Sequence, residues 1–288
     1  MDIRALLMGL SFVLMWSSAF TSARIAVAYA SPLLLLSVRF LISGLLAMLI
    51  ARMLGQRISL TRKQWMAVVL FGLLQNGVYL GSNFVAMQWI EAGLAAIIAS
   101  LLPLLVALLS WIFFKEKLPL LGIAGLVAGL VGVLIIMGAR LSGGADLTGV
   151  ALAFLGVGAL SLATLLVRGA VSSGNVLMVV GLQMLVASAA LFPASLAFET
   201  WQVEWTWQLI TAFIYTTLVP GVLATLIWFL LVRRIGAIRA SSFHFLNPFL
   251  GVAIAALVLE ESLTFRDALG VIVITVGIIA VQLTKKQN

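Results

Sequence analysis

The side chains able to do chemistry in this sequence are few, and most of them interrupt long apolar runs. Asn76, Tyr79 and Asn83 lie at i, i+3 and i+7, one face of a helix, with Gln75 and Ser82 alongside. Such a stripe offers amide and phenol hydrogen bonds and one aromatic face to a small solute. Its competing role is to join helices, at about 0.6–2 kcal/mol per hydrogen bond. Ser241, His244 and Asn247 precede Pro248, and a proline within a helix frees a carbonyl about one turn earlier, near His244. His244 is the chain's single histidine, and histidine is the side chain that ordinarily titrates near neutrality. It reads as a substrate or coupling residue, or as a hydrogen-bonded packing residue. Trp16, Ser17, Ser18 and Thr21 come early in the chain, and Tyr215 and Trp228 late; Trp16 and Trp228 fall too deep in their apolar runs for an interfacial belt. They are expected to wall a substrate site with Ser17 and Asn247, the alternative being that the Ser and Thr side chains only pack helices closely. Arg39 stands seven residues into an apolar run, roughly 10 Å along a helix at about 1.5 Å per residue. It could hold a substrate carboxylate by a two-pronged ion pair, or snorkel or cap helix ends instead. Pro103 and Pro248 mark helix breaks or hinges, while Gly81, Gly122, Gly125, Gly129 and Gly132 mark points of close helix packing.

What is missing narrows the chemistry. Every Asp and Glu sits at the end of an apolar run, so no carboxylate is expected near a membrane midplane to run cation exchange. Cysteine is absent, which removes disulfides and thiolate metal sites. No GxxxxGK[ST] motif occurs, so no ATP-driven module is encoded. An intramembrane enzyme would need a nucleophile–base pair or a metal cluster, and one histidine supplies neither. The expectation is a protein that is not an enzyme and carries no metal or cofactor.

The elements that position these residues follow from composition. Of 288 residues, 64% are hydrophobic and 9% charged, against about 25% charged in soluble domains. Runs such as 33–50 and 122–138 show none of the alternation of a membrane β-strand, so each reads as a spanning helix. The net charge of +8 sits between the runs, where it sets topology and meets anionic headgroups rather than nucleic acid. The first run lacks a clear cleavage site before Arg24 and reads as a retained helix, not a signal peptide. The runs predict an all-α membrane protein of ten transmembrane helices, at 5–23, 32–52, 65–88, 93–114, 120–139, 147–167, 175–198, 207–232, 237–258 and 267–284.

Charge orients the ten. With both termini cytoplasmic, Arg4, Arg52, Arg57, Arg62, Lys63, Lys115, Lys117, Arg168, Arg233, Arg234, Arg239, Lys285 and Lys286 lie inside, leaving only Arg24, Arg140 and Arg266 outside. One helix more or fewer would scramble that sorting. The chain also repeats itself. A shift of 145 lays Pro103 on Pro248, Glu116 on Glu261, Gly125 on Gly270 and Gly132 on Gly277 without a gap. Two halves, 1–142 and 143–288, each of five spans, must then cross the membrane in opposite directions. The cationic Lys115-Glu116-Lys117 and its anionic copy Glu260-Glu261-Ser262 suit opposite faces. Inverted repeats are a transporter architecture, with the substrate near the midplane.

Three further motifs carry a resemblance: Trp16-Ser17-Ser18-Ala19-Phe20, Val38-Arg39-Phe40, and the Ala-rich run with Pro103 that ends in Lys115-Glu116-Lys117-Leu118. A second set, Trp228, Asn247-Pro248 and Glu260-Glu261-Ser262-Leu263, repeats the pattern. The ordered set resembles the EamA-type family of the drug/metabolite transporter superfamily over essentially the whole chain, and within it most the bacterial aromatic amino acid exporters of the YddG type. The resemblance implies export of amino acids, aromatic ones preferred, and related metabolites through a central cavity by alternating access. Other uncharged metabolites or drugs on the same fold are the alternative. The implied location is a bacterial inner membrane. The implied partners are a small-molecule substrate and the lipid bilayer, no nucleic acid, and a monomeric state is compatible with the sequence.

Overall fold

A backbone in hydrocarbon has only itself to hydrogen-bond, and the long apolar runs accordingly fold as helices. The structure, a computed structural model, describes residues 3–115, 119–142, 144, 146–166, 175–235, 243 and 246–284. The helices are α1 (Ile3–Val27), α2 (Pro32–Met53), α3 (Arg62–Ala86), α4 in two pieces (Ala92–Ala99 and Leu102–Phe114), α5 (Leu120–Ser142), α6 (Leu147–Leu166) and α7 (Val176–Phe198). Then come α8 in three pieces (Trp207–Thr216, Thr217–Leu223, Ala224–Ile235), α9 (Asn247–Leu259) and α10 (Phe265–Thr284). Among the described residues eight of these, α1 to α8, are long and apolar enough to cross a membrane, and α9 is a shorter apolar helix. The described residues form no β-strand; one isolated bridge joins Ala30 and Val203.

The boundaries differ from those expected where a local contact decides. The first helix does not stop at residue 23 but runs to Val27, because the Arg24 guanidinium turns to the Met87 carbonyl at the end of α3. The third starts at Arg62 rather than 65, set by a capping box in which Thr61 and Gln64 satisfy each other's backbone amides. The expected single span 93–114 is broken at Ser100 and Leu101, just before Pro103, which sits in the first turn of the second piece. Proline lacks the N–H that would continue the first piece. Pro248 takes the matching place in α9. The first half of the expected 237–258 span lies largely outside the described residues.

Two helices widen into π turns, at Gly72–Tyr79 in α3 and Thr217–Leu223 in α8. The second holds Pro220, whose missing N–H and ring break the α ladder. In the first, α7 comes backbone to backbone: a Cβ on Gly72 would lie 2.7 Å from the Gln183 carbonyl oxygen.

Two helix pairs interlock reciprocally. Along α2 and α7, Ser37 Oγ donates to the Ser188 carbonyl at 3.3 Å and Ser188 Oγ returns to the Ser37 carbonyl at 2.8 Å. A Cβ on Gly44 would meet the Gly181 carbonyl at 3.0 Å, and one on Gly181 the Gly44 carbonyl at 2.9 Å. Glu199 accepts from the Leu33 and Leu34 amides that open α2, and Gln56 accepts from the Met178 amide near the start of α7. Gly125 faces Gly277 and Gly132 faces Gly270 in the same manner across α5 and α10. Ser188→Ala, which removes one hydroxyl from such a pair, is expected to lower stability by only about 0.6 kcal/mol. Thermal unfolding in detergent checks this, and a loss several times larger would mean that the pair holds the crossing.

One end of the bundle is stitched across the chain. Ser31 N donates to the Gln202 carbonyl at 3.0 Å and Glu204 N to the Tyr29 carbonyl at 2.8 Å. Glu261, just beyond α9, accepts from Ala92 N at 2.7 Å and Gly93 N at 2.9 Å, the first amides of α4. The adjoining contact of α4 with α9 is made through small residues: a Cβ on Gly251 would lie 2.6 Å from Ala96 Cβ.

Candidate functional site

Where α1 meets α8 and α9, the polar side chains of three helices converge. Ser17, wholly buried, donates to Asn247 Oδ1 at 3.3 Å. Ser18 Oγ and Tyr215 Oη lie 2.7 Å apart, and Thr216 Oγ1 donates to Ser22 Oγ at 2.9 Å. Several of these hydroxyls also bond carbonyls of their own helix, as Ser18 does with Met15 and Thr216 with Ala212. The Thr21 hydroxyl beside them is buried without a partner. Toward the start of α1 the surface becomes aromatic: the Phe12 ring lies 5.7 Å from Trp16 and 4.8 Å from Trp228, both tilted. Trp16, Ser17, Trp228 and Asn247 thus share one region with Ser18 and Tyr215, which the sequence also offered, and with Ser22 and Thr216. Chemically it presents indole faces next to hydroxyl and amide groups, which suits a solute with a flat apolar part and a polar end.

The helix-3 stripe lies elsewhere. Asn76 is inside the π segment and Tyr79 closes it, so the spacing of Asn76, Tyr79 and Asn83 no longer describes one straight α face. All three are buried. Tyr79 and Asn83 press on α6, where a Cβ at Gly156 would lie 2.6 Å from Asn83 Nδ2 and 3.0 Å from the Tyr79 carbonyl. Asn83 Nδ2 donates to that carbonyl at 2.9 Å, and its buried Oδ1 has no partner. His244 and Ser241 fall outside the described residues. Pro248 is buried in the first turn of α9, and Pro103 opens the second piece of α4.

Arg39 forms a third locality, inside the bundle. Its guanidinium carbon stands 5.2 Å from the Phe40 ring centre and 5.9 Å from that of Phe84. One turn on, Ser43 donates to the Thr217 carbonyl of α8 at 3.4 Å.

Sequence reasoning read Glu199 and Glu261 only as charges between spans; they cap the starts of α2 and α4 from far along the chain. It also treated Ser22 and Thr216 as background. The available signal was an acidic residue just beyond an apolar run; its target was not visible.

A chain whose described residues are all-helical, with this many apolar spans and with polar and aromatic side chains gathered between its helices, is built as a multi-pass membrane protein. It belongs to the EamA-like transporter family, whose model matches twice, over residues 3–138 and 147–283. It is 27% identical to the transporter YvbV of Bacillus subtilis (strain 168) over 275 residues, 95% of this chain and 90% of that one. It is 30% identical to the inner membrane transporter YedA of Escherichia coli (strain K12) over 277 residues, 92% of this chain and 87% of the other. Protein PecM of Dickeya dadantii (strain 3937) is 25% identical over 255 residues, covering 87% and 83%. A protein crystal structure superposes over 100% of this chain and 99% of its own with a TM-score of 0.69 at 22% identity, a likeness of fold.

Proposed function

We propose that this membrane transporter exports amino acids, aromatic ones preferred, and related small metabolites by alternating access. The observation that carries the proposal is the region where α1 meets α8 and α9. There the tilted Trp16, Phe12 and Trp228 rings adjoin the Ser17–Asn247 and Ser18–Tyr215 pairs. Flat rings contribute about 0.5–1.5 kcal/mol per aromatic pair beyond burial, and the hydroxyl and amide groups answer an ammonium or carboxylate.

The proposed frame is ten spans in two inverted halves, 1–142 and 143–288, with both termini cytoplasmic. The double family match supports it. So do the π segments starting at residues 72 and 217, 145 apart, and the left-handed residues Lys115 and Glu260, also 145 apart. The reciprocal contacts of α2 with α7 and α5 with α10 also support it, since halves related by a two-fold axis in the membrane plane would make contacts of that kind. The Lys/Arg distribution then puts the Glu199 and Glu261 end outside. In this reading the molecule is closed to the exterior, and the solute enters from the cytoplasm.

Uptake of radiolabelled tryptophan into liposomes holding the purified protein tests the function, with and without a pH gradient. Saturable flux competed by phenylalanine and tyrosine is the expected result, and Trp228→Ala should reduce it at least tenfold at unchanged protein content. Indifference to the gradient supports uniport. Absence of saturable flux for every amino acid would overturn the substrate class and move the reading to other uncharged metabolites.

A further inference from the structure

A guanidinium buried with nothing to bind is costly, and α2 holds one. Arg39 is 6% exposed, its Nε has no hydrogen-bond partner, and no acidic or other hydrogen-bonding group among the described residues pairs with the side chain. A charge moved out of water without a partner costs several kcal/mol even after relaxation. Arginines inside membrane proteins therefore pair, snorkel to the surface, or line the path of a solute. This one is too buried to snorkel. The Phe40 and Phe84 rings at 5.2 and 5.9 Å offer cation–π attraction of about 0.5–2 kcal/mol, but they leave the five N–H donors unanswered.

The surroundings give those donors a direction. The side chain reaches the π segment of α8, where a Cβ added to Gly221 would come within 3.7 Å of Nη2. Ser43, four residues on and so on the same face of α2, donates to the Thr217 carbonyl and would lie 3.4 Å from the same added Cβ. The preceding residues of α8, Tyr215 and Thr216, bond Ser18 and Ser22 of α1. A stretch of two turns, residues 215–221, therefore touches both the open guanidinium and the polar side of the aromatic region.

We propose that Arg39 is the anchor for a carboxylate group on the transported solute. The planar fork of arginine matches the two oxygens of a carboxylate in a bidentate pair, which lysine cannot reproduce. Docking supplies the missing partner for the buried charge, and the α8 stretch lets the rest of the solute extend toward α1. The inference rests on the transport reading but not on the identity of the solute's side chain.

The test is binding to the purified protein, read by calorimetry and by the shift of the thermal midpoint. The probes are tryptophan, tryptamine (no carboxylate), indole-3-propionate (no ammonium) and benzoate, with chloride exchanged for gluconate and back as a check on simple anions. The parent should bind tryptophan and indole-3-propionate at least tenfold more tightly than tryptamine. Arg39→Gln should abolish that difference, and Arg39→Lys should restore only part of it. Arg39→Gln without any probe should melt no lower than the parent, since it removes an unpaired charge; a structural arginine would instead take the midpoint down with it. Equal binding of tryptophan and tryptamine, each unchanged in Arg39→Gln, would overturn the anchor while leaving amino acid export standing. Arg39-dependent binding of benzoate without any binding of tryptophan would sustain the anchor and remove the aromatic amino acid reading. Protection by chloride alone would overturn the carboxylate assignment.

Discussion

Gly277→Leu is expected to abolish recovery of folded protein from the membrane, whereas Gly158→Ala leaves it unchanged. At Gly277 a Cβ would lie 2.6 Å from the Gly125 carbonyl oxygen, 2.8 Å from Gly129 N and 3.3 Å from Gly129 Cα. All three are backbone atoms of α5, so no rotamer change relieves the overlap; the helices must separate. Overpacking a fitted core ordinarily costs about 1–3 kcal/mol, and a four-carbon side chain against rigid backbone exceeds that range. Separation would also undo Gly132 against Gly270, seven residues away on each helix of the same crossing. At Gly158, on α6, nothing lies within 4 Å of an added Cβ, and alanine is the better helix former by about 1 kcal/mol. Gly81→Leu should fall between, because its nearest neighbour at 3.3 Å is the movable end of Leu191. Size-exclusion profile and thermal midpoint of the three variants decide the matter. A monodisperse Gly277→Leu protein with the parent's midpoint would mean that α5 and α10 do not cross at the glycines.

That crossing shows what the sequence made legible. Gly125, Gly129 and Gly132 recur along an apolar run, and small residues at helical spacing mark close packing in lipid, where no hydrophobic force drives helices together. The spans themselves were legible because a lipid-exposed backbone must be a helix or a closed barrel, and the runs lack a barrel strand's alternation. Pro103 and Pro248 could be read as breaks since each lacks a donor. Less was legible inside the helices. The π turn at Gly72–Tyr79 shifts Asn76 against Asn83, and nothing local announces it; it begins where Gln183 of α7 approaches Gly72. Tyr79 and Asn83 of the stripe read from a straight helix meet α6 at Gly156. Trp16 and Trp228 meet on Phe12, which hydropathy does not separate from any other apolar residue. Glu199 and Glu261 read as loop charges. Their partners lie 165 or more residues away, and only the assembled fold brings an acidic side chain to a helix start that has no side-chain cap of its own.

The second large effect concerns one of those two carboxylates. Glu261→Ala is expected to open the stitched end of the bundle by a factor of ten or more, and Glu199→Ala is not. Both residues accept two amides at a helix start, so both substitutions leave the first N–H groups of a helix without their partners. A hydrogen bond to a charged group contributes about 1.5–3 kcal/mol, and the positive end of the helix dipole adds about 0.3–1 kcal/mol. What differs is what each cap joins. Glu199 ties α7 to α2, a pair held along its length by Ser37 with Ser188 and Gly44 with Gly181. Loss of that cap should weaken a pair that stays together, and appear only as a lower thermal midpoint. Glu261 ties α9 to α4, whose packing nearby is the short glycine and alanine contact of Gly93, Ala96, Gly251 and Ala255. If the molecule alternates between two faces, this contact must break when the end opens, and Glu261 then holds only the closed form. Removing about 1.4 kcal/mol from one of two states moves their ratio tenfold. The chain has no cysteine, so a single reporter can be read without background. Val252→Cys places a smaller side chain where α9 backs on Gly93. Its labelling by a membrane-impermeant maleimide should quicken about tenfold in Glu261→Ala, less in Glu261→Gln, and not at all in Glu199→Ala. Equal rates in all three would show that the cap at α4 does not gate this end. Equal acceleration by Glu199→Ala would show that α2 and α7 part as readily as α4 and α9, so that the interlocked pair is not the fixed frame.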